Sequence, residues 1–380
     1  MSGPAAYHDV VVAGAGPAGC AAAIVLKQAG HNVCLVDQAS RLVRKVGESV
    51  PGAIIRLLNR LGILGIDTLL SPEDHKRCVA NASAWGSDQW VYQDALRNPE
   101  GGGWHINRAR FDAALRQRAI LAGIPLYAAR VGPLERSPTR DLSQPGYLLH
   151  LKGQSGELIP PIQTPWLIDA TGRKAQIGRQ HRLPRYRLTN QMAAVYWIDS
   201  GEPDRDHMTR LKSTVEGWWY TALLPDTSRI ISFQGLPATS GKLIRSPAAF
   251  VTQFNATAIL PNPISLHSVI ACTASDAGLI RMPTVAIPGL VCVGDAALSL
   301  DPLSAQGIFF ALYSGIKGAE AISIGLTDPL LTTSALQAYQ HCVDQVFTAN
   351  QQLRNHFYLN EHRFTAASYW RQQVLSVILA

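Results

Sequence analysis

The clearest hydrophobic pattern of the chain lies over residues 9–37. A short apolar run at residues 9–13 predicts a buried parallel strand. An alanine-rich stretch from Pro17 to Ala29 predicts a helix, and a second apolar run at residues 32–36 predicts a second strand. Strand, helix and strand in this order predict a βαβ unit, which opens a Rossmann-type dinucleotide-binding domain.

The turn between the first strand and the helix contains three glycines. Gly14, Gly16 and Gly19 stand at G-x-G-x-x-G spacing. The first glycine permits a tight turn, the second lets the backbone approach a pyrophosphate, and the third lets the helix pack closely on the strand. The pyrophosphate is stabilised by the positive N-terminus of the helix, beside Ala18. Asp37 ends the second strand, where a carboxylate accepts hydrogen bonds from a ribose.

The segment KVGES, at residues 45–49, follows the second strand. Gly47 and the two residues after it are predicted to begin a helix that Pro51 interrupts. The loop before that helix lies close to the cofactor in dinucleotide-binding domains, so Lys45 and Ser49 are candidate cofactor contacts. A loop and helix cap without any cofactor contact is the alternative.

Residues 105–123 are predicted to form a helix. The apolar residues that face the core in this prediction are Phe111, Leu115, Ala119 and Leu121. Arg108 lies in the first turn, where a positive charge is unfavourable for the helix dipole unless an anion is near. Arg108 is therefore a candidate contact to a phosphate or a flavin, and a solvated surface arginine is the alternative.

Two further buried strands end in turns of small residues. WLIDATG, at residues 166–172, places Gly172 where another part of a cofactor approaches the backbone. In GLVCVGDAALSLDPLSAQGI, at residues 289–308, Asp295 follows a strand and is placed to bind a second cofactor hydroxyl. The following helix N-terminus offers N–H donors to the anionic edge of a reduced flavin. The candidates there are Pro302, Ser304, Gln306, Gly307 and Ile308.

Short strand patterns broken by turns fill residues 71–104 and 181–284, which predicts an inserted, mainly antiparallel sheet that forms a substrate wall. The tryptophans of the first stretch either pack between layers or line a pocket for a flat aromatic substrate; they are Trp85, Trp90 and Trp104. Three adjacent residues, Trp218, Trp219 and Tyr220, cannot all face one side of a strand. At least one of them is expected to point towards a cleft or solvent.

The predicted fold class is α/β (α+β overall): a Rossmann-type FAD-binding domain, an inserted antiparallel sheet domain and a helical C-terminal segment. The FAD-binding domain is predicted to be discontinuous, over residues 1–70, 105–180 and 285–330. The sheet domain takes residues 71–104 and 181–284, and the helical segment takes residues 331–380.

Composition narrows the class of protein. The 380 residues carry a formal charge of +7, with basic residues scattered rather than clustered, so no nucleic-acid partner is expected. The six cysteines show no metal-binding spacing, so no metal is predicted, and they fit a reducing compartment. No stretch is long and apolar enough to span a bilayer, so no membrane partner is expected and a cytoplasmic location is the default.

Four segments together resemble the flavin monooxygenases with the para-hydroxybenzoate hydroxylase fold: GAGPAG with Asp37, KVGES, DATG and GDAALSLDPLSAQGI. KVGES looks like the branch that contains flavin-dependent halogenases and flavoprotein maturases of quinone-cofactor amine and amino-acid oxidases, including lysine-oxidase and glycine-oxidase maturases. The stretches ASAWGSDQW, GWHINRARFD and GWWYTALLPD look closer to the maturases.

The resemblance implies FAD as the cofactor and a monooxygenase that acts through a flavin C4a-hydroperoxide on an electron-rich aromatic ring. Its implied substrate is a tryptophan side chain of a partner protein during cysteine tryptophylquinone formation, with a small aromatic molecule as the alternative. An external reductant or a flavin reductase is the implied electron donor. Glu48 and His105 are weak candidates for acid–base groups, and a structural role for each is the alternative.

Two departures from the tryptophan halogenases bear on the reaction. Their W-x-W-x-I-P motif is absent, because Trp218, Trp219 and Tyr220 do not fit it. The stretch from Val79 to Trp85, comparable to the strand that carries their relay lysine, contains no lysine. Halogenation of an aromatic substrate remains the second hypothesis, and a non-catalytic flavoprotein that escorts a partner is the third.

Overall fold

The computed structural model of the protein describes residues 5–38, 43–95, 100–138, 145–153, 156–200 and 204–378. In chain order, its helices are α1 (Pro17–Gln28), α2 (Ile54–Arg60), α3 (Arg108–Leu121), α4 (Gln176–Gln180), α5 (Pro237–Arg245), α6 (Pro247–Ala256), α7 (Gly307–Thr327), α8 (Thr332–Asn360) and α9 (Ser368–Ile378).

The larger sheet contains the predicted βαβ unit. Its strands lie in the order Ala6–Tyr7, Leu158–Thr164, Pro145–Gly153, Leu126–Pro138, Val33–Asp37, Val10–Ala13, Trp166–Asp169, Leu290–Cys292 and Ala286–Ile287. The central strands are parallel, with Val10 beside Val33 and beside Trp166. The side chains of Val10–Ala13 and Trp166–Asp169 are all buried, because α1 and α7 cover one face of these strands and a cluster that includes Tyr147 and Leu149 covers the other.

The second sheet is the mainly antiparallel one that the strand patterns predict. Its strands lie in the order Val269–Asp276, Met192–Asp199, Ser228–Gly235, Gly217–Leu223, Thr209–Thr214, Ala80–Ala84 and Val91–Asp94. One parallel pair joins Thr209–Thr214 to Ala80–Ala84, which attaches the earlier insertion to the later one. Two small sheets complete the fold: Ser49–Val50, Trp104–Ile106 and His75–Arg77 form one, and Tyr186–Arg187, Ile280–Arg281 and Leu298–Ser299 form the other.

The two faces of the second sheet have different neighbours. Tyr196 and Trp219 lie on the face that packs against α5 and α6. Trp197 and Leu224 lie on the opposite face, together with Val46 from the KVGES region. This second face therefore forms a wall beside the predicted cofactor site.

The predicted helix at Gly47–Ser49 is wrong. Ser49 and Val50 form a short strand that pairs with His105 and Trp104, and α2 begins only at Ile54. The strand pairing satisfies backbone groups that a helix would otherwise satisfy, and Pro51 then prevents the strand from continuing.

The predicted inward position of Leu121 is also wrong, because its side chain is 72% exposed. Phe111, Leu115 and Ala119 are buried at spacing of four along α3. Leu121 lies two residues after the last of them, which turns its side chain about 200° around the helix axis, away from the core.

Aromatic packing answers the question that the sequence left open for the tryptophans. Trp85 contacts Trp218 and Trp370 edge-on, with ring centroids 6.1 and 5.4 Å away. Trp90 packs on the hydrophobic cluster beneath α5 and α6. Trp104 is 4% exposed and belongs to the hydrophobic core that contains α1 and α7. These side chains pack between layers.

In the described part of the chain, no helix combines the length and the apolar character that a membrane crossing needs.

Candidate functional site

The glycine turn has the shape of a cradle. Gly14 has φ +107°, and a Cβ there would lie 2.3 Å from the carbonyl oxygen of Ala170. A Cβ on Gly19 would lie 1.9 Å from the carbonyl oxygen of Gly14. At Gly16, by contrast, a Cβ would meet no atom within 4 Å, and this residue begins α1 without a capping side chain. An open backbone at an uncapped helix N-terminus fits a pyrophosphate.

Two charged side chains flank this turn. The carboxylate of Asp37 accepts a hydrogen bond of 2.6 Å from the backbone N–H of Ala15, so the acid lies at the glycine turn as predicted. Arg116 approaches from α3, with Nη2 3.5 Å from the carbonyl oxygen of Ala15. Its buried Nε has no hydrogen-bond partner among the described residues. An orphaned guanidinium N–H at this turn fits an anionic ligand.

Sequence reasoning missed Arg116. The available signal was its spacing, since Arg116 lies eight residues after Arg108 and therefore shares a face of α3 with it.

Asp112 holds two of the predicted cofactor contacts together. Its Oδ1 accepts from Nε of Arg108 at 2.7 Å, and its Oδ2 accepts from Nζ of Lys45 at 2.9 Å. Arg108 also donates from Nη1 to the carbonyl oxygen of Val46 at 3.0 Å. Asp112 was not predicted, although it lies four residues after Arg108 on the same helix. The Arg108 side chain is thereby fixed against the KVGES loop.

Gly47 lies where the KVGES loop approaches both α3 and α7. It has φ +92°, and a Cβ there would lie 2.6 Å from Nη1 of Arg108 and 3.9 Å from Cδ1 of Ile308. Three segments far apart in the chain therefore meet at one glycine. Only a residue without a side chain permits this approach at a positive φ.

The start of α7 offers a second open helix N-terminus. Pro302 to Ser304 form a short 3-10 turn, and Ala305 then adopts a left-handed conformation with φ +50°. Gln306 precedes the helix without a capping side chain, and a Cβ on Gly307 would meet no atom within 4 Å. The backbone here leaves room for an anionic group, and contact with a flavin at this helix stays a prediction.

Asp295 lies in a turn that packs on α1. A Cβ on the preceding Gly294 would lie 2.9 Å from Cβ of Ala18. The carboxylate of Asp295 is 3.6 Å from Nε of Arg173. Burial raises the pKa of Asp295, while Arg173 opposes that shift. Gly172 precedes Arg173, has φ +67° and has open space beside it.

Glu48, which is buried, and Tyr220 form a polar pair where the KVGES loop meets the middle strand of the second sheet, Gly217–Leu223. The Glu48 carboxylate accepts from the backbone N–H of Gly47 at 2.8 Å and is hydrogen-bonded to Tyr220. The Tyr220 hydroxyl is 2.8 Å from Oγ of Ser49. Burial raises the pKa of Glu48 and, together with the Glu48 charge, that of Tyr220. Tyr220 therefore lies on the face of the second sheet that meets Glu48, opposite to the face that carries Trp219.

A cavity of about 220 Å³ beside Glu48 lies between the KVGES loop, the start of α3 and the second sheet. Trp197 and Leu224 provide an apolar wall from the second sheet. Arg44 and Arg110 contribute positive charge at the rim. This volume is below the range of about 300–1,000 Å³ that is usual for drug-sized ligands, so the cavity can hold a group no larger than a side chain or a small ring system.

His105 lies apart from this cavity. Ile106, the next residue in its strand, lines the cavity, whereas His105 is fully buried with Nε2 2.9 Å from Oγ1 of Thr209. Burial lowers the pKa of His105 to about 4. His105 is therefore not among the residues that line the cavity, and an acid–base role for it stays a prediction.

The shifted pKa of His105 predicts a pH-dependent stability. In the unfolded chain a histidine binds a proton near its ordinary pKa of about 6.5, whereas the folded protein resists protonation down to about 4. Stability should therefore be full above about pH 6.5 and fall by roughly 2–3 kcal/mol between about pH 6.5 and 4. Urea unfolding at several pH values measures this slope, and His105→Gln should remove it. A slope that is the same in both proteins would contradict the assignment.

Whether the predicted residues contact the cofactor stays a prediction, as do the domain boundaries. The fold nevertheless brings these residues to one region, at the carboxyl ends of the central parallel strands, where ligands bind in open α/β sheets. The described residues contain no group of three or more histidine, cysteine, aspartate or glutamate side chains that could hold a metal ion.

Known proteins match the sequence over this region and beyond. Residues 9–49 match the FAD binding domain family. In an alignment 349 residues long that covers 88% of this chain, the sequence is 24% identical to tryptophan 2-halogenase of Chondromyces crocatus, and it spans 64% of that protein, which is less than two thirds. It is 21% identical over 378 residues to the putative FAD-dependent oxidoreductase LodB of Marinomonas mediterranea, covering 96% of each chain.

Solved structures share the fold. The peptidyl tryptophan dihydroxylase QhpG, essential for tryptophylquinone cofactor biogenesis, superposes with a TM-score of 0.76 at 24% identity, covering 97% of this chain and 79% of QhpG. Flavin-dependent halogenases also have this fold. These matches confirm the predicted fold class and FAD as the cofactor.

Proposed function

We propose that this chain, a FAD-dependent oxidoreductase with the fold shared by flavin-dependent halogenases, hydroxylates a tryptophan side chain of a partner protein. The observation that carries the proposal is the cavity beside Glu48, with its apolar wall of Trp197 and Leu224 and no free lysine among the described residues that line it. The likeness in fold to a peptidyl tryptophan dihydroxylase supports the choice of substrate.

FAD, when bound, supplies the activation of dioxygen. The residues that would hold it are the glycine turn with Asp37 and Arg116, the pair Arg108 and Lys45 braced by Asp112, and the N-terminus of α7. Their open backbone positions and orphaned N–H fit its pyrophosphate and its polar ring edge.

The cavity has two tasks in this reaction. An indole is electron-rich and needs little activation, so orientation and exclusion of water are the main requirements. The indole of Trp197 and the aliphatic side chain of Leu224 offer apolar contacts against which such a ring can be oriented. The Glu48 carboxyl, whose pKa is raised, is placed to take or hold a proton while Tyr220 fixes its orientation.

The lysine pattern favours hydroxylation over halogenation. In the halogenases that the sequence resembles, a lysine relays hypohalous acid to the substrate. Here Lys45 is the lysine that lines the cavity, and Asp112 engages its Nζ at 2.9 Å. The strand Ala80–Ala84 carries no lysine and has buried alanines. Halogenation stays the second candidate because a tryptophan 2-halogenase is among the relatives.

The proposal is tested by co-expressing this chain with a tryptophan-containing partner protein encoded beside its gene, with the halide concentration varied. Mapping the modified peptide by mass spectrometry should find oxygen on a tryptophan, at a level that does not depend on halide. Halogen on the ring would favour the second candidate. Modification of free tryptophan, with the partner unmodified, would reject a protein substrate.

Tyr220→Phe should alter the pH dependence of the reaction. The Tyr220 hydroxyl lowers the pKa of Glu48 against the larger effect of burial, so its removal should raise that pKa further. The pH at which activity reaches half its maximum should therefore move upwards, and the free energy of unfolding should fall by roughly 1–2 kcal/mol.

Tyr196→Phe is the matched control for this variant. Tyr196 lies on the opposite face of the same sheet and donates to the carbonyl oxygen of Leu243 at 2.7 Å. Its loss should cost similar stability and leave the pH profile unchanged. Equal pH profiles for both variants would contradict a role for the Glu48 and Tyr220 pair.

A further inference from the structure

We infer that Arg354 positions the loop that is predicted to contact the flavin, through a buried ion pair with Asp301, so that the C-terminal helices set the affinity for FAD and the surroundings of the flavin ring. This inference goes beyond the proposed function, because it concerns cofactor binding and holds for any substrate. Arg354 belongs to α8, and the loop comprises residues 301–308.

The ion pair lies at the base of this loop. Nε of Arg354 is 3.2 Å from Oδ2 of Asp301, and each side chain is 1% exposed. The other carboxylate oxygen of Asp301 accepts from the backbone N–H of Leu303 at 3.0 Å, which caps the 3-10 turn. The Ser304 hydroxyl donates to the backbone oxygen of Asp301 at 2.9 Å. One aspartate thus fixes the turn internally and joins it to α8.

The pair is the centre of a buried polar junction. The Tyr358 hydroxyl, also on α8, lies 3.3 Å from Oδ2 of Asp301 and 3.2 Å from the hydroxyl of Tyr369 on α9. Tyr369 donates to Oε1 of Gln191 at 3.0 Å, and Gln191 directly precedes the strand Met192–Asp199 of the second sheet. Arg354 itself donates from Nη2 to the side chain of Gln373 on α9. The loop is therefore connected to both C-terminal helices and to the substrate wall.

Stability alone is a weak reason for such a pair. Removing two charges from water costs about as much as their attraction returns, and apolar replacements are often as stable. What the pair supplies is a defined position. Immediately after the turn, Ala305 adopts a left-handed conformation, and Gly307 then opens α7. A displacement of Asp301 would move these backbone N–H groups, which are the ones predicted to face the flavin.

The purified protein loaded with FAD provides the test. Arg354→Lys keeps the charge but shortens the reach to Asp301. It should weaken FAD binding roughly tenfold or more and change the visible circular dichroism of the bound flavin. These readouts need no substrate, so a failure of the tryptophan proposal would leave them unaffected.

Arg229→Lys is the matched control. Arg229 is 2% exposed and pairs with Asp204 at 2.6 Å, and its hydrogen-bond partners lie outside residues 301–308. It should lose comparable stability while its FAD affinity and flavin spectrum stay unchanged. If Arg354→Lys also leaves both unchanged, Arg354 has a merely structural role and the inference is wrong.

A double-mutant cycle shows whether Arg354 acts through Asp301. In an Asp301→Asn background, Arg354→Lys should have little further effect on FAD affinity, because the pair is already broken. Additive effects would overturn the inference.

If Arg354→Lys does not fold, Tyr358→Phe is the second variant. It removes only the hydroxyl that contacts Asp301, and it should show the same spectral change to a smaller degree. An unchanged spectrum in that variant would count against the inference.

Discussion

Gly16→Ala is expected to weaken FAD binding by roughly 100-fold while the protein still folds. Gly16 has φ −79° and ψ −175°, an extended conformation that alanine adopts easily. A Cβ there would meet no protein atom within 4 Å. The added methyl group would instead occupy the space in which a pyrophosphate approaches the backbone. Inserting a methyl into a tight contact costs about 1–3 kcal/mol, and each factor of ten in affinity corresponds to about 1.4 kcal/mol.

Titration of the apoprotein with FAD, followed by flavin fluorescence, measures this effect. Gly241→Ala is the matched control, because Gly241 lies in α5, where a Cβ would meet only the flexible end of Arg245 at 3.3 Å. Both variants should keep the circular dichroism spectrum of the wild type. Equal FAD affinity in the two variants would show that the cofactor does not bind at the glycine turn.

Gly19→Ala is expected to destabilise the fold itself, by roughly 4 kcal/mol or more. A Cβ at Gly19 would lie 1.9 Å from the backbone oxygen of Gly14 and 3.1 Å from Cβ of Ala170. Since the first contact is with backbone, no side-chain rotation relieves it, and α1 would have to move away from the sheet. Overpacking usually costs about 1–3 kcal/mol, and a clash of backbone at this distance exceeds that range.

Urea unfolding of the apoprotein measures the loss of stability, again beside Gly241→Ala. The urea midpoint for Gly19→Ala should fall clearly below that of the control. Gly16→Ala and Gly19→Ala should differ in the property that each of them loses. Gly16→Ala loses affinity and keeps stability, whereas Gly19→Ala loses stability first. Similar unfolding midpoints for Gly19→Ala and the wild type would contradict the close packing of α1 on the central strands.

Much of the nucleotide-binding half could be predicted because its signals are local. The run Val10–Ala13, the glycine turn and α1 are contiguous, and a parallel strand buried on both faces is apolar throughout. The position of Asp37 could be predicted because the end of the second strand of a βαβ unit lies beside the glycine turn. Here each local preference agrees with the final fold.

The rest depends on contacts between distant parts of the chain. Ser49 belongs to a strand only because it meets His105, and nothing in KVGES itself indicates that partner. Alternation predicted that Trp218, Trp219 and Tyr220 diverge, but which face meets the cavity depends on where α5 and α6 pack. Asp112 resembles any helical acid until Lys45 is brought beside it by the fold.

The central claim is that this FAD-dependent protein transfers oxygen from dioxygen to a tryptophan of a partner protein. The most direct measurement is the intact mass of that partner after co-expression with this chain under dioxygen enriched in its heavy isotope. The account predicts a mass increase that carries the heavy isotope, resides on a tryptophan and disappears in Gly16→Ala. A halogen mass increment, or an unmodified partner beside a chain that is fully loaded with FAD, would contradict it.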